Sequence, residues 1–253
     1  MKKWAIITGA SAGIGEATAK ELAQLGWNLI LLGRHEDRLK QVEKSLKALS
    51  PDQAFRSVVV DVQKKRDVDR FVENYKETLP HVELLVNNAG LARGSEKFQE
   101  AQTEDWDQMI DTNIKGLLYL TRGVLPFMIA KNSGHIVNMG SVAGRWVYEG
   151  GAVYCATKFA VRALSEGLRM DLHGKNIRVS NVEPGMVQTD FSLVRFDGNR
   201  PKADAVYAGM KPLTAKDIAE TIVWIVNRPQ HINVQELVIY PTDQSSIRMV
   251  HRT

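Results

Sequence analysis

Ser141, Tyr154 and Lys158 are the residues on which chemistry can turn, and all fall in the stretch Gly140 to Lys158, GSVAGRWVYEGGAVYCATK. The pattern from Ala152 to Leu172 predicts a helix, so Tyr154 and Lys158, at i and i+4, share one face about one turn apart, with the ammonium beside the phenol. A free phenol has a pKa of about 10 and moves protons poorly near neutrality. A cation held beside it favours the phenolate and lowers that value, which turns a tyrosine into an acid–base catalyst. Ser141 follows the strand-like run His135-Ile136-Val137-Asn138-Met139. Its hydroxyl is expected at the carboxyl edge of a sheet, where ligands bind in open α/β folds.

The elements that must position these side chains alternate between strand and helix along the chain. Trp4 to Thr8 reads as a first strand, Gly9-Ala10-Ser11-Ala12-Gly13-Ile14-Gly15 as a glycine-rich turn, and Glu16 to Leu25 as a helix. A helix start reached through glycines presents unpaired backbone amides, a site for a pyrophosphate. Gly9 permits the turn, Gly13 lets a cofactor approach and Gly15 lets the helix pack on the strand, with Ser11, Ala12 and Ile14 lining the site. The spacing is not literally G-x-G-x-x-G, and a simple tight turn is the competing reading. The next strand, Trp27 to Leu32, ends at Gly33-Arg34-His35, where an NAD site would place an acid. Arg34, His35 and Arg38 stand there instead, and a cationic pocket suits a ribose 2′-phosphate, so NADP is expected over NAD; two arginines on a solvated helix start remain the alternative.

A helix over Glu36 to Leu49 and a strand over Phe55 to Val60 lead to Asp61-Val62, whose carboxylate either accepts from an adenine amino group or caps the next helix. That helix, Val68 to Leu79, precedes the strand Glu83 to Val86 and Asn87-Asn88-Ala89-Gly90. Asn87 reads as a structural link between strands, and Asn88, Ala89 and Gly90 as cofactor lining. Thr103 is expected to cap a long helix carrying Trp106, Met109, Ile110, Ile114, Leu117 and Leu118 at core spacing, interrupted by Asn113, either a backbone-bonded amide or part of a catalytic relay. The strand Ile177 to Val182 runs into Glu183-Pro184-Gly185-Met186-Val187-Gln188-Thr189, where Pro184, Gly185, Val187 and Thr189 are expected to hold a nicotinamide carboxamide. Residues 190–212 lack periodicity and read as a mobile lid over substrate. Thr214-Ala215-Lys216-Asp217 resembles a capping box before a helix from Ile218 to Val226, and Val234 to Ile239 is the last strand. The alternation implies one α/β domain, a parallel sheet with helices on both faces.

Composition narrows the class. With 253 residues and 44% hydrophobic side chains, the chain buries a core without metal or disulfide staples, and Cys155 is its single cysteine, which suits a reducing cytoplasm. A net charge of +4 spread among acidic residues, with no basic–aromatic stripe, argues against nucleic-acid binding. The start Met1-Lys2-Lys3 is charged, yet its apolar run is too short for a signal peptide, and no run approaches the ~18 apolar residues of a membrane span. The 6 histidines have no metal-ligand spacing, so no metal site is expected.

Taken together, Thr8-Gly9 with Gly13 and Gly15, Asn87-Asn88-Ala89-Gly90, Asn113, Ser141, Tyr154 with Lys158, and Pro184-Gly185 resemble the short-chain dehydrogenase/reductase family in order and approximate spacing over nearly the whole chain. The resemblance implies a single-domain Rossmann fold with a doubly wound, seven-stranded parallel sheet, NADP(H) as cofactor, a catalytic tetrad of Asn113, Ser141, Tyr154 and Lys158, and a homotetramer. Tyr154 and Lys158 would also contact the nicotinamide ribose, and Asn113 would hold a water that links Lys158 to solvent. Gly90-Leu91-Ala92-Arg93-Gly94, Asp111 to Arg122, Asp171-Leu172-His173-Gly174, Glu183 to Phe196 and the tail Val250-His251-Arg252 are similar to the NADP-dependent 3-hydroxy acid dehydrogenases acting on serine and allo-threonine, from which Arg145 and Cys155 depart. A substrate carboxylate needs a cation or backbone donors, and Arg145 and Arg195 are the arginines expected near it beside Ser141 and Tyr154, although either fits a solvent-facing role. A broad carbonyl reductase and an NADP(H)-sensing regulator are the alternatives.

Overall fold

Short apolar runs and the amphipathic segments between them form a regular alternation in the computed structural model of the protein, which describes residues 3–253; Met1 and Lys2, part of the charged start, lie outside the described residues. In chain order the elements are β1 (Trp4–Thr8), α1 (Gly13–Gln24), β2 (Asn28–Gly33), α2 (Glu36–Leu49), β3 (Phe55–Val59), α3 (Lys65–Asn74), β4 (Val82–Asn87), α4 (Thr103–Ile110), α5 (Leu117–Lys131), β5 (Gly134–Met139), α6 (Ala152–Asp171), β6 (Ile177–Pro184), β7 (Val187–Gln188), α7 (Phe191–Arg195), α8 (Arg200–Ala205), β8 (Leu213–Thr214), α9 (Ala215–Val226) and β9 (Glu236–Ile239). The main sheet is 7-stranded and parallel in the order β3-β2-β1-β4-β5-β6-β9. Strand order reverses between β1 and β4, so the crevice opens at their carboxyl ends, as the doubly wound expectation requires.

Because strand side chains alternate between faces, the sheet feeds two cores. Ala5, Ile7, Leu29 and Leu31 pack with Leu22, Leu39, Leu46 and Ile222 on one face. Ile6, Ile30 and Leu32 pack with Phe71, Leu120, Val124 and Met128 on the other.

Several boundaries differ from expectation. The long helix expected from Thr103 is broken by a π turn over Asp111–Gly116, and Thr103 is its first helical residue rather than its cap, its hydroxyl 3.3 Å from the Glu104 carboxylate. Such single-turn bulges cluster at functional sites, and this one carries Asn113. α3 stops at Asn74, short of Leu79, which instead begins a 3₁₀ turn through Pro80. Residues 190–212 hold α7 and α8, too short to show a period in sequence, and β7 pairs with β8 in a second, 2-stranded parallel sheet. The capping box of α9 is present: Asp217 N donates to Thr214 Oγ1 at 3.2 Å and Thr214 N donates to Asp217 Oδ2 at 2.7 Å.

Candidate active site

The crevice over β1 and β4 is a cavity of about 540 Å³, inside the size range of small-molecule and cofactor sites. Its nucleotide side is assembled from backbone. Gly9 has φ +62°, and a Cβ on Gly15 would lie 2.3 Å from the Gly9 carbonyl oxygen, so α1 sits as close to β1 as the chain permits. Thr8 Oγ1 accepts from the amides of Asn88 and Ala89 at 2.9 and 2.8 Å, while Asn88 Nδ2 donates to Thr8 O at 2.9 Å. The loops after β1 and β4 are thereby locked together. Ala12, at the start of α1, caps it without a side-chain hydrogen bond, leaving first-turn amides for an anion.

Gly9, Ser11, Ala12, Gly13 and Ile14 line this cavity, as do Arg34, His35 and Arg38, Asp61 and Val62, Asn88, Ala89 and Gly90, and Pro184, Gly185, Val187 and Thr189; Gly15 lies behind the wall. Arg34, His35 and Arg38 are exposed at the β2 tip, and Arg38 Nη1 is 3.9 Å from Asp190 Oδ2. The donor set fits a phosphorylated ribose: exposed guanidiniums in place of an acid, next to a helix start with free amides. Asp61 Oδ1 accepts from Gln63 N at 3.2 Å, which shapes the turn before α3, whose cap is Lys64. Asn87 links β4 to β5 and α5, donating to Asn138 Oδ1 and Thr121 Oγ1, each at 2.9 Å.

On the catalytic side, Ser141 caps a 3₁₀ turn over Val142–Gly144, its Oγ accepting from Ala143 N at 3.1 Å, and lines the cleft with Tyr154 and Lys158. Lys158 Nζ lies 5.8 Å from the Tyr154 ring centre and donates to Met139 O at 2.9 Å. Burial pushes the Lys158 ammonium down to about 8. The Tyr154 phenol departs from expectation: burial pushes it above the ordinary value, Tyr148 adds to that, and the opposing pull comes from Ser141 and Arg195. Lys158 is itself desolvated, with its ammonium tied to the Met139 carbonyl.

The Asn113 side chain takes the backbone-bonded alternative. It does not line the cleft; its Oδ1 accepts from Leu91 N at 2.9 Å and its Nδ2 donates to Leu91 O at 2.8 Å and Thr157 Oγ1 at 3.0 Å. The side chain thus cross-links the β4 loop to α6 beside Lys158.

On the substrate side the two arginines separate. Arg195 lines the cleft, its Nε donating to Gly94 O at 2.8 Å and its Nη1 to Tyr148 Oη at 3.1 Å. Arg145 does not: it is ion-paired with Glu183 and Glu236, behind the wall. Glu183 is fully buried, and a buried carboxylate claims the nearest guanidinium. Tyr148, Phe191, Tyr207 and Gln244 line the cleft without having been expected. Phe191 meets the Tyr154 ring edge-on at 5.8 Å, Tyr207 Oη donates to Val187 O at 2.9 Å, and Gln244 Oε1 accepts from Met186 N at 2.8 Å. Gln244 carried no sequence signal, since only the return of the tail to the cleft makes it a lining residue. No cluster of metal-ligating side chains occurs among the described residues, and none of their helices is long and apolar enough to cross a membrane.

A doubly wound nucleotide cleft with a serine and a tyrosine–lysine pair on its catalytic edge defines a class of dehydrogenase. Residues 3–198 match the short chain dehydrogenase family, to which this chain belongs. Among curated relatives it is 42% identical over 240 residues to the serine 3-dehydrogenase of Agrobacterium fabrum (strain C58), covering 95% of this chain and 94% of that one. It is also 42% identical over 249 residues to the NADP-dependent 3-hydroxy acid dehydrogenase YdfG of Escherichia coli (strain K12), covering 98% of each. Among solved structures, the closed form of a serine dehydrogenase complexed with NADP+ superposes with a TM-score of 0.91 at 41% identity, covering 99% of this chain and 100% of the other. An alcohol dehydrogenase from the archaeon Thermococcus sibiricus, complexed with 5-hydroxy-NADP, gives 0.84 at 27% identity, covering 96% and 98%.

Proposed function

We propose that this protein is an NADP-dependent oxidoreductase that interconverts the hydroxyl and carbonyl of a small 3-hydroxy acid such as serine, allo-threonine or 3-hydroxyisobutyrate. The observation that carries the reading is the meeting of Ser141, Tyr154 and Lys158 in one wall of a cleft whose other wall presents a helix start and exposed arginines. The names of the relatives at 42% identity support the substrate class, and the NADP dependence named for the Escherichia coli enzyme agrees with Arg34 and Arg38 at the β2 tip.

NADP(H), when bound, donates or accepts the hydride. Arg34, His35 and Arg38 would hold its 2′-phosphate, the free amides of α1 its pyrophosphate, Asp61 and Val62 its adenine end, and Pro184 to Thr189 its carboxamide. Ser141 hydrogen-bonds the reacting oxygen and fixes its position. In reduction Tyr154 gives its phenolic proton to that oxygen, and in oxidation the phenolate removes the proton from the hydroxyl. A phenol raised by burial stays protonated at neutral pH, ready as an acid, so oxidation speeds up as the medium becomes alkaline. Lys158 replaces the proton, and Asn113 serves this by fixing the π turn beside it. Arg195 pairs with the substrate carboxylate.

Residues 190–212 act as a lid over the substrate in a single catalytic domain, and the chain works as a cytoplasmic homotetramer. Leu118 and Phe159, 40% and 39% exposed on α5 and α6, support helix-to-helix contacts between subunits. A broad carbonyl reductase is the second reading, favoured by the apolar cleft residues Phe191, Val194 and Val206. A pure NADP(H) sensor has no use for the Ser141, Tyr154 and Lys158 group. Tyr154→Phe tests the assignment: turnover is expected to fall about 1,000-fold while NADPH still raises the melting temperature. Near-normal turnover discards it.

A further inference from the structure

Arg145 stands at the C-terminal side of the turn capped by Ser141, and its guanidinium reaches two carboxylates on two strands, Glu183 at the tip of β6 and Glu236 on β9. The pairing extends in both directions. Asn181 Nδ2 donates to the other Glu183 oxygen at 2.7 Å. Glu236 Oε1 accepts from Arg162 Nε at 3.2 Å and lies 3.9 Å from Arg169 Nη2, both on α6, the helix that carries Tyr154 and Lys158. Glu183 immediately precedes the Pro184–Gly185 turn that lines the cleft. On its opposite side the Ser141 turn has no slack, since a Cβ on Gly144 would lie 2.7 Å from the Lys158 carbonyl oxygen.

We infer that Arg145 is a positioning residue: through Glu183 and Glu236 it clamps the Ser141 turn, the Tyr154–Lys158 helix and the Pro184–Gly185 loop into one rigid unit. Three parts of the machinery from three regions of the chain share this one charge network. Glu183 is wholly buried; burial pushes its carboxyl above the usual carboxylate range, and Arg145 is the main pull that keeps it from rising further. Removing the guanidinium strands that charge, so the turn and the loop must both shift to find it water or another donor. Small displacements of a hydrogen-bonding group from the reacting atom cost rate more than binding. The signature of a clamp is therefore a fall in kcat well beyond any loss of cofactor binding, whose phosphate contacts lie on the opposite wall.

The inference rests on the assignment of Ser141 as the group that fixes the reacting oxygen, so Ser141→Ala is measured alongside. The experiment determines kcat, KM for NADPH and melting temperature for Arg145→Ala, Arg145→Lys, Glu183→Gln and the double variant Arg145→Ala/Glu183→Gln, all well below their melting points. Arg145→Ala is expected to lose about tenfold or more in kcat with KM for NADPH within about twofold. Arg145→Lys, able to pair with only one carboxylate well, falls between it and the parent. The double variant recovers part of the loss because no charge is stranded. Should Arg145→Ala not fold, Glu183→Gln, which keeps the shape and leaves Arg145 paired with Glu236, carries the test with a smaller kcat loss of the same kind. Full kcat in Arg145→Ala, or in Glu183→Gln where the alanine variant does not fold, with Ser141→Ala inactive, overturns the clamp alone. Full kcat in Ser141→Ala overturns the assignment beneath it.

Discussion

At the turn from Gly9 to Gly13 and at Ala89–Gly90 the cleft is faced by backbone and small side chains, packed so closely that Gly15 has no room for a Cβ. From Ser141 to Tyr207 it is faced by larger side chains held through bonds of long sequence separation, such as Arg195 to Gly94, 101 residues apart. Backbone donors recognise the parts that all dinucleotides share and leave little for substitution to vary. Side chains at the ends of long-range bonds can be exchanged without dismantling the sheet, so specificity belongs on that side.

The 2′-phosphate is where the nucleotide wall relies on side chains, and removing them should break the contrast most visibly. Replacing Arg34 and Arg38 by alanine is expected to weaken NADP binding about 100-fold, the loss of two charge-assisted contacts, and to leave NAD binding nearly unchanged by calorimetry. Equal weakening of both nucleotides would mean that these arginines shape the loop itself. On the opposite wall Arg195→Met should raise KM for a hydroxy acid about tenfold with little effect on an uncharged alcohol. Parallel losses on both substrates would assign Arg195 to holding Gly94 and Tyr148 in place.

The smallest effect sits in the sheet that both walls share. His135 is buried against Ser180 Oγ at 2.8 Å, and burial, with Arg178 beside it, pushes its imidazole from 6.5 to about 3. The folded protein excludes a proton that the unfolded chain accepts, so stability is full above the unfolded value and is lost as pH falls below it. About 1 kcal/mol should disappear between roughly pH 6.5 and 5.5 in melting curves, and His135→Gln should flatten that slope without altering nucleotide or substrate selectivity. An unchanged slope in the variant would locate the acid sensitivity elsewhere.

The same division decides what is legible in the sequence. The glycine turn, the alternation of strands and helices and the Tyr154–Lys158 spacing are local patterns, and each expected nucleotide residue except Gly15 lines the cavity. Arg145 was misplaced because its partners Glu183 and Glu236 are 38 and 91 residues away and nothing local reveals that one of them is wholly buried. Asn113 shows its polarity in sequence, but not that Leu91 and Thr157 occupy its amide. The direction of the Tyr154 shift depends on whether burial or the neighbouring cation dominates, and residue spacing contains no measure of burial.

The central claim is that one cleft pairs NADP, selected by arginines, with a carboxylate-bearing alcohol deprotonated by Tyr154. Its most direct test is the kcat/KM for oxidation of 3-hydroxyisobutyrate, serine and allo-threonine against uncharged alcohols of matching skeleton, each with NADP and with NAD. NADP is expected to outperform NAD with every substrate, and the hydroxy acids to exceed the uncharged alcohols by about tenfold or more. Comparable rates on the uncharged alcohols, or NAD serving as well as NADP, would contradict it.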